Sequence, residues 1–175
     1  MNLHQLKNEL KRDIQQIEDI NLLKRIQKIT TRSLYPPKEI HTDLSVVNQY
    51  DVIGARPFLV QFKEHEFEPK KWVDLYVEVI KWVLDYRKIE SLSNPILDYS
   101  NKTQCVVNNK PYHLNGKSFR SEFKHKALFI DGHGGTKHHV NTLIKIFTEL
   151  YIPLEELKIG FWLPQSPSNT ISGSI

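Results

Sequence analysis

Between Lys110 and Lys145 the chain gathers Lys110, Lys117, Arg120, Lys124, Lys126, Lys137 and Lys145 against only Glu122 and Asp131, a local surplus of five charges in a protein whose net charge is +4. The remainder is slightly acidic. Phe119, Phe123 and Phe129 are threaded through the same stretch, which then enters Asp131-Gly132-His133-Gly134-Gly135 ahead of a helical pattern. Cations, aromatic faces and the N–H groups of a helix start are the components of a phosphate-binding surface. In Ser118–Lys126 an extended backbone places Arg120, Lys124 and Lys126 on one face, opposed in part by Glu122, with Phe119 and Phe123 turned toward the core rather than offered for base stacking. The chemistry expected of Lys117, Arg120, Lys124, Lys126, Lys137 and His138 is therefore contact with a nucleic-acid backbone without reading of bases. The plainer alternative is a solvated positive face.

Other reactive residue types form no recognisable catalytic pattern. Gly132, Gly134 and Gly135 expose N–H groups where a phosphate or carboxylate would be stabilised, or they simply make a tight strand-to-helix turn. The spacing is neither that of a Walker loop nor that of a dinucleotide fingerprint. His133, His138 and His139 raise the thought of a metal, but neighbours on a helix point about 100° apart, and only Asp131 is close enough in sequence to complete a site. Solvated histidines at a helix start are the simpler reading, and His125 reads as part of the basic face. Cys105 sits in the apolar run Gln104-Cys105-Val106-Val107 and reads as a buried thiol. No serine lies in a nucleophile elbow. No catalytic residue, metal or cofactor is expected.

These residues need a scaffold, and composition allows one. The 175 residues are 39% hydrophobic and 25% charged, with a single cysteine, which reads as a globular domain without internal disulfides or a multi-cysteine zinc site. No apolar run reaches the roughly 20 residues of a membrane helix, and no secretory leader is visible at the N-terminus. A cytoplasmic protein without membrane contact is expected.

Residues 2–33 read as helix, with Leu3, Leu6, Leu10, Ile14 and Ile17 in one stripe and Asp19 or Asn21 as caps for a second helix. The expected domains are a helical arm over 1–35, a linker over 36–53, an α+β domain over 54–163 and a disordered tail over 164–175. Within the linker, a short strand near 44–47 is conceivable. Phe58, Val60 and Phe62 alternate on one face of a strand, followed by a tight turn at 63–66. Pro69 is placed to open a helix in which Trp72, Leu75, Tyr76, Val79, Ile80 and Val83 share one face. Short strands are expected at 104–107, 111–114 and 126–131, with a turn at Asn115-Gly116. A second amphipathic helix buries Val140, Leu143, Ile144, Phe147 and Leu150 with Thr136 as its cap, and a last strand spans 157–163. The expected fold class is α+β: an N-terminal helical arm, then a small, mainly antiparallel sheet with two packed amphipathic helices.

The pattern from Gly54 to Leu163 (Arg56-Pro57 with an alternating strand, Trp72 opening a helix, Phe129-Ile130, a turn, a helix, then Ile152-Pro153-Leu154-Glu155-Glu156-Leu157-Lys158-Ile159) resembles a small α/β module of bacterial restriction and phage-conflict proteins. Such modules occur alone or appended to helicases and DUF262-type proteins. The hairpin turn here has no glycine, and the helical arm is additional. What the resemblance implies is a setting, genome-conflict or defence-system machinery, and no defined reaction. The leading expectation is a non-catalytic, nucleic-acid-associated accessory protein. The first alternative is a protein-binding inhibitor or adaptor acting through the 1–35 arm, which would also serve as a homodimer contact. The distant one is a metal-dependent nuclease using Asp131, His133 and His138.

Overall fold

The computed structural model describes residues 3–15, 20, 22–25, 29 and 36–164. The chain divides into two compact units, one of residues 1–37 with 164–175 and the other Lys38–Leu163. In the first, helix α1 spans Leu3–Gln15, and residues 20, 22–25 and 29 are also helical. Leu6 on its apolar stripe is exposed. The caps expected at Asp19 and Asn21, and the tail beyond Pro164, lie outside the described residues. Among the described residues no helix is long and apolar enough to cross a membrane.

The second unit is α+β, as its periodicities indicate, but it contains two four-stranded antiparallel sheets rather than one. The first sheet is built from β1 (Lys38–Asp43), β2 (Arg56–Phe62), β3 (His65–Phe67) and β8 (Leu157–Leu163) in the order β1-β8-β2-β3. Residues 36–53, read as a linker, therefore contribute a strand, and the compact unit starts at Lys38. This strand hides in the sequence because it lies at a sheet edge: in Lys-Glu-Ile-His-Thr-Asp only Ile40 is buried. The segment 44–47 forms no strand; Leu44 and Val47 are fully buried beside a 3-10 turn at Val47–Gln49.

In β2 the alternation expected of Phe58, Val60 and Phe62 is broken by a register shift between Pro57 and Leu59 where β2 meets β8. A bulge inserts one residue and moves what precedes it to the other face. Pro57, Val60 and Phe62 are buried, whereas Phe58 is only partly so and meets His41 edge-on and Trp162 at a tilt, with centroids 5.3 and 5.1 Å away. Gly160 makes this feasible, since a Cβ there would stand 2.7 Å from the Phe58 ring.

Helix α2 (Trp72–Tyr86) begins later than Pro69. Lys71 is the N-cap residue, and its N–H donates to the Asp74 carboxylate at 3.0 Å. All six expected core residues of α2 are buried. The second sheet contains β4 (Ile96–Leu97), β5 (Cys105–Asn108), β6 (Glu122–His125) and β7 (Leu128–Asp131) in the order β4-β5-β7-β6. Residues 111–114 form no strand, only a bridge from Tyr112 to Ser118 around the Asn115-Gly116 turn. Helix α3 (Thr136–Glu149) follows β7; its N-cap is Gly135 rather than Thr136. A single core joins both helices and strands of both sheets, including Val60, Ile80, Ile130, Phe147 and Phe161.

Phe161 is fully buried and lies within 5.8 Å of the Tyr50 and Trp72 rings. Phe161→Ala should cost about 3–5 kcal/mol of stability, measured as a shift of the urea midpoint. Trp162→Ala, at a half-exposed neighbour, should cost much less; equal losses would contradict this placement of the core.

Candidate functional site

The turn of residues 132–135 is held by the carboxylate that precedes it. Asp131 Oδ1 accepts from the backbone N–H of Ser121 (3.2 Å) and of His133 (3.1 Å), and Oδ2 lies 3.4 Å from His113 Nε2. Nδ1 of His113 accepts the Cys105 N–H at 3.0 Å. That bond sets the tautomer: Nδ1 carries no proton, so Nε2 carries the hydrogen and faces Asp131. Both ring nitrogens of His113 are thereby engaged, and this buried pair is a tie between loops rather than a reactive group.

A second histidine–carboxylate pair faces a polar cleft of about 280 Å³. Asp98 is buried, and its Oδ1 accepts the N–H and the hydroxyl of Ser100, both at 2.7 Å. Its Oδ2 lies 2.9 Å from His138 Nε2. A carboxylate can only accept, so this close contact matches the tautomer of His138 with its hydrogen on Nε2, and Nδ1 has no protein hydrogen-bond partner among the described residues. This is the arrangement by which a carboxylate orients a histidine as a general base. Gly134 makes room for the ring: its φ is +149°, and a Cβ there would lie 2.5 Å from His138 Cδ2.

Three further groups line this cleft. Arg120 Nη1 lies 3.3 Å from His133 Nε2, and among the described residues no carboxylate pairs with Arg120. Tyr76 is fully buried, and its hydroxyl has no hydrogen-bond partner in the protein. Burial, reinforced by the nearby charges of Asp131 and Asp98, holds its pKa well above the ordinary tyrosine value, so it remains a donor. Cys105 is also at the cleft, but burial raises its thiol pKa and keeps it protonated.

On the other side of the turn lies an open cavity of about 510 Å³, lined by Arg56, Lys70, Lys71 and the start of α3. Gly135 supplies no capping side chain and the first turn of α3 holds no acid, so its N–H groups keep their partial positive charge. No carboxylate pairs with Arg56, Lys70 or Lys71 among the described residues. His139 borders the cavity. It is buried, stacked on Tyr76 at 4.4 Å, and 3.1 Å from the Gly132 carbonyl through Nε2. Burial lowers its pKa to about 4, with the neighbouring histidines adding to the effect.

The residues singled out in the sequence divide. Arg120 and His138 line the cleft together. Lys137 is exposed in the first turn of α3, and Lys117 is exposed beside the Asn115-Gly116 turn. Lys124 is exposed on β6, with its ammonium 5.9 Å above the Phe129 ring. Lys126 lies in the β6–β7 turn at φ 53°, 2.7 Å from Asp85, a carboxylate that His125 also meets at 2.9 Å.

The common face expected for Arg120, Lys124 and Lys126 does not form. The strand begins only at Glu122, because the backbone of Ser121 is turned toward Asp131. Phe119 is buried, but Phe123 stays partly exposed on the edge strand. The histidines of the turn take separate partners: Arg120 for His133, Asp98 for His138, the Gly132 carbonyl for His139. His139 is a core residue rather than a solvated one. Among the described residues no three His, Cys, Asp or Glu side chains are grouped to hold a metal ion. Sequence reasoning missed Asp98, His113, Tyr76 and the trio Arg56, Lys70 and Lys71. Asp98 had one local signal, an Asp-x-Ser step of the kind that closes on its own backbone.

Comparison with family models, curated proteins and solved structures finds no match to this chain.

Gly134→Ala should displace the His138 ring from Asp98, visible as a loss of the downfield Nε2–H resonance in proton NMR; an unchanged resonance would refute the contact. His139 has a folded pKa below its unfolded value of 6.5. The unfolded chain therefore takes up a proton that the native state excludes, and the stabilising contribution present above pH 6.5 disappears as pH falls toward 4. Over that window wild type should lose up to about 3 kcal/mol more than His139→Gln, read from urea midpoints; parallel curves would show a normally titrating ring.

Proposed function

We propose that this protein binds nucleic acid through the phosphate backbone, centred on the turn of residues 132–135, as an accessory component of the genome-conflict machinery implied by its resemblance. The observation that carries this reading is a concentration of cations without acidic partners around an uncapped helix start. Arg120 stands on one side, Arg56, Lys70 and Lys71 on the other, and Lys137 in the first turn of α3. The two carboxylates that line the cleft, Asp98 and Asp131, already face His138 and His113, and Asp74 beside Lys71 accepts the Lys71 backbone N–H. Positive charge concentrated in concave surface attracts a polyanion more strongly than the modest net charge of the chain suggests. Lys117 and Lys124 extend the surface, while Lys126 contributes less because Asp85 neutralises it.

The alternative, a protein-binding inhibitor or adaptor, draws on the exposed Leu6 of α1. Its binding would be insensitive to salt and lost on deletion of residues 1–35.

Fluorescence anisotropy with labelled single- and double-stranded oligonucleotides tests the reading. Affinity should fall steeply with salt, since each neutralised phosphate releases counterion. Arg120→Ala should weaken binding about tenfold and reduce the salt slope by about one, and Arg56→Ala/Lys70→Ala/Lys71→Ala should reduce it by two to three, on the order expected per phosphate contact. Lys158→Ala, at a lysine 3.4 Å from Asp43 in the other sheet, should change neither. No binding at low salt would overturn the proposal.

A further inference from the structure

We propose that the cleft between Asp98 and Arg120 cleaves RNA, with His138 as the base that activates the ribose 2′-hydroxyl. This rests on the nucleic-acid reading above and adds a reaction to it. The argument begins with the Asp98–His138 pair. Asp98 is held rigidly by two bonds from Ser100 and receives His138 Nε2 at 2.9 Å. The partly exposed ring of His138 keeps Nδ1 available to a ligand in the cleft. The other pair, His113 with Asp131, has the same residue types but no free nitrogen, so of the two carboxylate-paired histidines only His138 can exchange a proton with a substrate.

The second part is an acceptor site for the phosphate. Arg120 and His133 adjoin each other at 3.3 Å with no carboxylate between them. A phosphate seated there gives both an anionic acceptor in place of each other, and the start of α3 adds backbone N–H groups. The third part is independent of charge. Tyr76 lines the cleft, and its buried hydroxyl has no protein partner. Burying a hydroxyl unbonded is unfavourable, and an oxygen of ribose or phosphate would satisfy it.

The substrate class follows from what the cleft lacks. The Ser100 hydroxyl is engaged with Asp98, and Cys105 is a buried neutral thiol, so neither is a ready nucleophile. In RNA every phosphodiester has its own nucleophile alongside, the 2′-hydroxyl that DNA does not have. The step balances without a co-reactant. His138 Nδ1 takes the 2′-hydroxyl proton as that oxygen bonds to phosphorus. The bond from phosphorus to the 5′-oxygen breaks, and this oxygen takes a proton from His133, whose Nε2 accepts from Arg120 in the free protein and takes up a solvent proton once the bound phosphate has drawn Arg120 away. The products are a 2′,3′-cyclic phosphate and a 5′-hydroxyl, and the histidines recover their starting states by proton exchange with water. His138 is the catalytic base, His133 the acid, and Asp98 a positioning residue.

The test uses the full chain with end-labelled RNA, the same sequence as DNA, and the RNA with 2′-deoxyribose throughout its pyrimidines. Binding is read by anisotropy and cleavage by gel, with product ends assigned by mass spectrometry. Wild type should cut RNA to cyclic-phosphate ends, spare DNA, and fail wherever the 2′-hydroxyl is missing. His138→Gln should lose cleavage by at least roughly 100-fold, the range for a general base, while RNA affinity falls far less than that. Asp98→Asn should lose cleavage with affinity preserved. RNA bound tightly yet intact at protein excess would overturn the reaction while leaving the binding reading in place. No binding to either polymer would overturn both. Cleavage of DNA at the RNA rate, or by His138→Gln at the wild-type rate, would also overturn the reaction.

Discussion

The site depends on one buried carboxylate. Asp131 ends the central strand β7 and gathers three donors from separate parts of the chain: the Ser121 backbone from the loop before β6, the His133 backbone from the glycine turn, and the His113 ring from the loop after β5. None of these donors has strand or helix partners to fall back on, so without the carboxylate two backbone N–H groups and an imidazole would be left unsatisfied in a largely buried place. The cost of such orphaned groups, on the order of 1–3 kcal/mol each, is what keeps the loops in register. Arg120 and His133 meet only because Ser121 and the turn are fastened to the same side chain.

The histidines show how environment separates identical side chains. His113 is sealed between a backbone donor and a carboxylate, and His139 is sunk against Tyr76 with its charge suppressed by burial. Of the four histidines around the turn, only His138 combines a carboxylate on one nitrogen with an unoccupied nitrogen on the other, and His133 stands in the open beside a guanidinium. The same bonds consume the acids of the region. Asp98 and Asp131 are turned inward to their histidines, so the surface that remains around the start of α3 is dominated by arginine and lysine.

Helices α2 and α3 were legible in the sequence because their periodicity is local: Trp72, Leu75, Tyr76, Val79, Ile80 and Val83 declare a face without reference to anything else. Strands β2 and β8 were legible for the same reason. The division into two sheets was not, since β5 pairs with β7 across the 19 residues of 109–127, β6 among them, and β1 with β8 across most of the unit. The glycine turn and the basic stretch marked the right neighbourhood, and Arg120 and His138 were found there. Their partner Asp98, forty positions upstream in a Ser- and Asn-rich run, carried no pattern that points to a histidine. The supposed common face of Arg120, Lys124 and Lys126 failed because strand geometry was assumed two residues before the strand starts. The cations Arg56, Lys70 and Lys71 come from different elements and converge only through tertiary packing.

Lys38 and Leu163, the first and last residues of the second unit, are opposite each other in the β1–β8 ladder, where partner Cα atoms stand about 5 Å apart. A unit whose two ends leave side by side can be spliced into a surface loop of a host protein with neither junction stretched, and its ends can be joined by a short linker and new termini opened elsewhere. Such an architecture suits a travelling cassette: it can be carried between unrelated hosts while its fold and cleft go along unaltered.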